Sequence, residues 1–166
     1  MDTQITIPDI SGASPESFSR GSSFLPRDIG SLSLLRKEAQ DKIVYYDWDL
    51  SFVNRTFASR PDNDGKDEIQ LIFNLNQPID WQVDRGRELV RMLPGEVCVF
   101  RNNDYETSMH YGGELDFQFK SLQMATSFFS QLLATYFRPD QLALCRSLFL
   151  TRVTKTAITP DMYRVL

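Results

Sequence analysis

Between residues 43 and 120 the apolar side chains recur at every second position, and turn residues interrupt them at short intervals. A period of two is what a strand with one buried face requires. In Glu68–Asn76, Ile69, Leu71, Phe73 and Leu75 share a face. In Ile79–Asp84, Ile79, Trp81 and Val83 oppose Asp80, Gln82 and Asp84. The same reading predicts strands at Ile43–Trp48, Ser51–Ala58, Glu88–Leu93, Val97–Arg101 and Tyr105–Tyr111, with a last one through Leu115, Phe117 and Phe119. Asn63-Asp64-Gly65, Asp84-Arg85-Gly86, Asn102-Asn103-Asp104 and Gly112-Gly113 separate them with residues that tolerate positive φ. Leu93-Pro94-Gly95-Glu96 carries the Pro-then-Gly signature of a type II turn. Strands spaced this way indicate an all-β sandwich or barrel.

After the last strand the period becomes 3.6. Ser121–Phe137 carries no charge, and Leu122, Ala125, Phe129, Leu132 and Tyr136 form a helical stripe that Phe128, Leu133 and Phe137 widen. A helix without a charged face needs a cover. Leu122, Ala125, Phe129, Leu132, Leu133 and Tyr136 are therefore the candidate interface of a homodimer. Pro139 ends this helix and begins a second, Asp140–Leu150, making a helical hairpin over 122–150. Ahead of the strands, residues 11–33 hold eight Ser, three Gly and two Pro, too little apolar surface to offset ordering. Residues 1–42 thus read as an irregular lead-in, apart from a short strand near Gln4–Ile7. Ser31–Lys42 fits either a strand or a helical turn or two. At the other end Thr159-Pro160-Asp161 is a strong helix start: a Thr cap, Pro in the first turn, and an acid near the positive end of the dipole. The helix stops in under two turns, so 151–166 reads as the start of a linker to a further domain.

Charge and residue inventory exclude several functions. Eighteen Lys and Arg stand against 22 Asp and Glu, a net charge of −4, with no concentrated basic face for duplex nucleic acid. His110 is the only histidine, which disfavours a His-based metal site. No Gly-x-Ser-x-Gly elbow and no phosphate-cradling Gly loop occur, so no catalytic residue and no cofactor is assigned. Cys98 and Cys145 belong to no Cys-x-x-Cys pair and read as reduced, buried thiols. The N-terminus lacks a secretory pattern and no run of 18 apolar residues occurs, so a cytoplasmic protein without a membrane span is expected. Asp47 and Asp49 flank Trp48, which fits a sugar or cation site or simple strand-end placement, and Arg85, Arg87 and Arg91 surround one turn, where a solvated hairpin outweighs an anion site. Aromatic and hydrogen-bonding residues on predicted strands remain as candidate contacts for a small molecule: Tyr46, Trp48, Trp81, Arg101 and His110.

Pro94-Gly95-Glu96-Val97-Cys98-Val99-Phe100-Arg101-Asn102 resembles the second cupin motif, with Val-Cys-Val-Phe where that motif places a metal-binding His. The stretch Leu93–Phe100 also resembles the sensor barrel of AraC/XylS-family bacterial transcription regulators. The charge-free run Leu122–Phe137 resembles the helix that follows that barrel. Ala157–Leu166 is similar to the linker-helix opening in the branch that includes the pyochelin regulator PchR. The resemblance implies a mainly β fold with C-terminal helices: a cupin-like double-stranded β-helix barrel over 43–121, without a metal, followed by a helical hairpin. It implies an effector-sensing domain that binds a small molecule and controls an attached helix-turn-helix domain, which alone would contact DNA. A small metal-independent cupin enzyme, such as a sugar isomerase, is the competing expectation.

Overall fold

Strand propensity and alternation are realised in eleven strands among the described residues. A computed structural model describes residues 2–6, 25–40, 42–60, 67–83, 88–102, 107–143 and 153–166. The strands are β1 (Thr3–Thr6), β2 (Gly30–Ala39), β3 (Ile43–Phe52), β4 (Thr56–Arg60), β5 (Glu68–Asn74), β6 (Ile79–Val83), β7 (Glu88–Met92), β8 (Glu96–Asn102), β9 (Thr107–Tyr111), β10 (Leu115–Ala125) and β11 (Val153–Ala157). Among the described residues α1 (Thr126–Tyr136) and α2 (Pro160–Val165) are helices, and 139–143 is helical as well. Five strands form one sheet in the order β1-β4-β9-β6-β7, and six form the other in the order β11-β8-β5-β10-β3-β2. The described strands thus make two separate sheets rather than one closed barrel ladder.

The core lies between the sheets. Leu32, Leu50, Phe117, Phe119, Ile72, Cys98 and Phe100 of the larger sheet pack with Ile79, Trp81, Met92 and Tyr111 of the smaller one. Aromatic rings interlock there: Trp81 and Phe100 lie 4.5 Å apart, Tyr111 and Phe117 4.9 Å, and Phe52 and Tyr111 5.1 Å. Each fully buried ring or aliphatic chain contributes about 1.5–3 kcal/mol of transfer free energy. The outer face of the larger sheet has its own cluster. Ile158 covers Phe73 and Val97, with Met162 and Leu166 of the C-terminal segment packed alongside.

Several expectations change. Ser121–Ala125 is not helical: β10 runs through Ala125 and is hydrogen-bonded to β3 on one side and β5 on the other. Ladder bonds along both edges outweigh the local helical period, and α1 keeps only Thr126–Tyr136. Leu122 and Ala125 therefore sit on a strand, not on the expected interface helix. Asp140–Leu150 is helical at 139–143; its remainder lies outside the described residues. Residues 30–39, within the expected lead-in, form β2 and pair with β3 along ten positions. The ambiguity at Ser31–Lys42 resolves as a strand, because Leu32 and Leu34 alternate into the core. Ile43–Trp48 and Ser51–Ala58 divide later than expected, since β3 continues to Phe52 and the bend falls at 53–55. Residues 153–157, expected as linker, add β11 to the edge of β8. The Pro94-Gly95 turn forms as read: Gly95 has φ 81, and the Glu96 amide donates to the Leu93 carbonyl at 3.1 Å. At the Gly112-Gly113 hairpin a side chain on Gly113 would strike the backbone of Asn54 and Arg55, so glycine is needed for close approach. The turns at 63–65, 84–86 and 103–104 lie outside the described residues.

A candidate ligand surface on the inner wall

Strand alternation fixes which side chains face the interior. In register, Leu32 stands opposite Leu50 and Leu50 opposite Phe117, all in the core. Two positions along, Leu34, Trp48, Phe119 and Asn74 form the next row. The row beyond joins Arg36, Tyr46, Ser121 and Ile72, and one more joins Glu38, Val44, Gln123 and Gln70. A period of two puts every member of these rows on the inner face. The apolar wall therefore becomes polar toward one end, across β2, β3, β10 and β5.

These polar groups are largely removed from water. Tyr46 is 5% exposed, Gln123 7% and Ser121 0%. The Trp48 indole N–H donates to Ser121 Oγ at 3.3 Å, and its ring stacks on Phe119 at 5.5 Å and lies 5.7 Å from Tyr46. Gln123 donates to the Glu68 carboxylate. Arg36 Nη2 is 3.0 Å from Glu38 Oε2. Burial works against charge on Arg36, but hydrogen bonds to Tyr46 and Glu38 outweigh it and hold the guanidinium above its ordinary value. Burying so many polar atoms is costly unless they are paired or meet a ligand. A wall of aromatic platforms with convergent donors and acceptors is suited to a small molecule.

The five expected ligand contacts separate. Tyr46 and Trp48 come together on this wall. Trp81 faces the same interior from the smaller sheet, 1% exposed within the packed core. Arg101 lies on the opposite face of its strand, where it forms a bidentate pair with Asp67 at 2.8 Å. His110 faces outward on β9, edge-on to Phe57 at 4.5 Å and opposite Asp80 in register. Its pKa lies below the usual histidine value, chiefly through burial and also through Arg55, with Asp80 opposing. Arg36, Ser121, Gln123, Glu68 and Gln70 were not anticipated. Arg36 and Gln123 sat in segments read as ambiguous or helical, and inward facing is legible only once the register is known. Asp47 pairs with Lys120 at 3.4 Å and, with Asp49, lines an outer cleft of about 210 Å³. Cys98 is fully buried, which pushes its thiol up to about 12; Cys145 lies outside the described residues. Among the described residues no three His, Cys, Asp or Glu side chains gather as a metal site. No helix among them is long and apolar enough to cross a membrane.

Two facing β-sheets with an aromatic core and one polar stretch of inner wall define a small β-sandwich with an internal candidate surface. Solved structures share this architecture. ToxT from Vibrio cholerae, in a crystal structure with unsaturated fatty acid bound, aligns with TM-score 0.53 at 11% identity, over 78% of this chain and 46% of that one. The chain thus spans just under half the length of ToxT. The cupin domain of Schizosaccharomyces pombe Cnp3 aligns with TM-score 0.46 at 12% identity, covering 62% and 71%. The cupin domain of an XRE-family transcriptional regulator from Enterobacter cloacae aligns with TM-score 0.45 at 12% identity, covering 56% and 95%. Two of these three are described as cupin domains, one of them from a transcriptional regulator. At these identities the likeness is one of fold. No family model matches the sequence, and no curated protein matches it.

Proposed function

We propose that this chain is the effector-sensing domain of a bacterial transcription regulator of the AraC/XylS kind. In this reading the two sheets form a cupin-like double-stranded β-helix whose interior takes a small molecule. The domain is non-catalytic, acts in the cytoplasm, and controls an attached DNA-binding domain. Two copies associate through α1. The observation that carries the reading is the row of half-buried Arg36 and buried Tyr46 and Ser121 beside Trp48. The likeness in fold to ToxT, described with a bound unsaturated fatty acid, supports a small-molecule ligand. Ligand binding would act by favouring one of two arrangements of the sensing and DNA-binding domains.

The test is a screen of metabolite-sized acids, amides, sugars and aromatic compounds against the protein, read by backbone and indole N–H chemical shifts. Effectors are expected to move Tyr46, Trp48, Ser121 and Gln123. Shifts confined to the outer faces of the sheets, or turnover of a sugar or other small substrate, would overturn the reading.

A further inference from the structure

The acid pair beside Trp48 lies on the outer face of the larger sheet. Ser33, Asp49 and Gln118 stand side by side across β2, β3 and β10 in one register row, and Leu35, Asp47 and Lys120 form the next. Both rows, with Leu75, line the cleft of about 210 Å³. The rows differ in what their polar groups already hold. Lys120 Nζ donates to Tyr45 Oη at 3.1 Å and to Asp47 Oδ2 at 3.4 Å. Burial works against its charge, but Tyr45 and Asp47 hold the ammonium above its ordinary value. That row is satisfied within the protein. The Ser33 hydroxyl, the Asp49 carboxylate and the Gln118 side-chain amide have no such partner among the described residues. An uncommitted carboxylate thus sits between a hydroxyl and an amide within a concave surface.

The cleft offers no aromatic platform. Trp48 contributes to its wall, but its ring turns to the inner face, where it stacks on Phe119 at 5.5 Å and donates to Ser121 at 3.3 Å. A quaternary ammonium is held on aromatic faces, and the apolar face of a sugar needs a similar surface. A cation recognised through its own N–H groups remains. We propose that this cleft binds a small primary amine that also carries a hydroxyl or carbonyl oxygen. The ammonium donates to the Asp49 carboxylate and Ser33 Oγ, the oxygen accepts from the Gln118 amide, and the short carbon stem lies against Leu35 and Leu75. Cross-strand neighbours stand about 4.5–5.5 Å apart at Cβ, so a short spacer bridges the two contacts. At about 210 Å³ the cleft is also smaller than the roughly 300 Å³ at which drug-sized sites begin. It lies on the opposite face of β3 from the proposed interior surface.

Ethanolamine, choline and ethylene glycol are a matched set of probes, titrated into the full chain and read by the backbone amides of Ser33, Asp49 and Gln118 and the Gln118 side-chain amide. Ethanolamine is expected to move these signals. It should bind about fivefold tighter than choline, which has no N–H donor, or ethylene glycol, which has no charge, as an ion pair in contact with water allows. Asp49→Asn keeps the shape of the cleft but removes its uncommitted charge, and should abolish that preference. Ethylamine, which lacks the oxygen, should bind more weakly than ethanolamine to the parent protein and equally to Gln118→Ala. The Trp48 indole N–H signal should stay in place throughout. Choline binding as tightly as ethanolamine, or a preference unchanged by Asp49→Asn, would overturn the proposal. So would the absence of shifts at Ser33, Asp49 and Gln118 with millimolar ethanolamine. Each of these failures leaves the interior reading standing, because the two surfaces lie on opposite faces of the sheet.

Discussion

His110 shows how position on a strand decides a side chain's chemistry. It points away from the interior, against Phe57, with Arg55 and Asp80 as its charged neighbours. Burial and Arg55 favour the neutral ring, while Asp80 favours the imidazolium. Its NMR titration is therefore expected below the usual histidine midpoint near 6.5, and Asp80→Asn should lower it further. The neutral ring's contribution to stability is complete above the unfolded value and fades as pH falls through the folded one. A midpoint above that of a free histidine would contradict this placement. Arg101, an expected ligand contact, pairs with Asp67. A sequence marks a charged residue on a strand but not the carboxylate it will meet 34 positions away.

At the scale of elements, Asp67 ties three together. Its carboxylate accepts both bonds of the Arg101 fork on β8 and one from the Thr126 hydroxyl. Its backbone carbonyl accepts the Thr126 N–H at the start of α1. The bond from Arg101 comes first among the causes that hold this carboxyl below the ordinary aspartate value; burial opposes it, and Thr126 and the Arg101 charge assist. The contribution is present above the unfolded aspartate pKa, about 4, and is lost as pH falls through the folded value. Side-chain exposures of 45% for Asp67 and 34% for Arg101 mean water screens the pair, so Asp67→Asn should cost about 1 kcal/mol at neutral pH. Urea melts at neutral and acid pH are expected to differ less in Asp67→Asn than in the parent. An equal pH dependence would show that the clamp contributes nothing to acid lability. The same clamp marks where β10 gives way to α1.

At the scale of the whole molecule, α1 presents an apolar face that the proposed homodimer would cover. The helix carries no charge and has no buried residue among Thr126–Tyr136, with Tyr136 79% exposed. Phe129, Leu132 and Leu133 are half-buried, and Lys42 reaches over the Phe128 ring at 5.3 Å. Under the proposed homodimer, Phe129→Asp or Leu132→Asp should convert a dimer to a folded monomer in sedimentation. Unfolding of both variants would place the stripe in the protein's own core. A parent protein that is already monomeric at high micromolar concentration would exclude the dimer.

The sequence alone determined the class of fold. Alternation from Ile43 to Phe119 and turns such as Pro94-Gly95 are local, because a strand's facing and a turn's φ depend on near neighbours. Its single histidine and net charge of −4 set the expectation of neither a His-based metal centre nor a duplex-binding surface, because each needs residue types or charge in number. Tertiary structure decided the rest. Ser121–Ala125 has a helical pattern but lies in a strand, because β3 and β5 supply hydrogen bonds along both edges. Arg36, Tyr46 and Ser121 became neighbours only through register, which joins positions far apart in the chain. Whether a polar residue faces water or a ligand is set by which strand pairs beside it, and a one-residue slip would turn every one of these side chains to the other face.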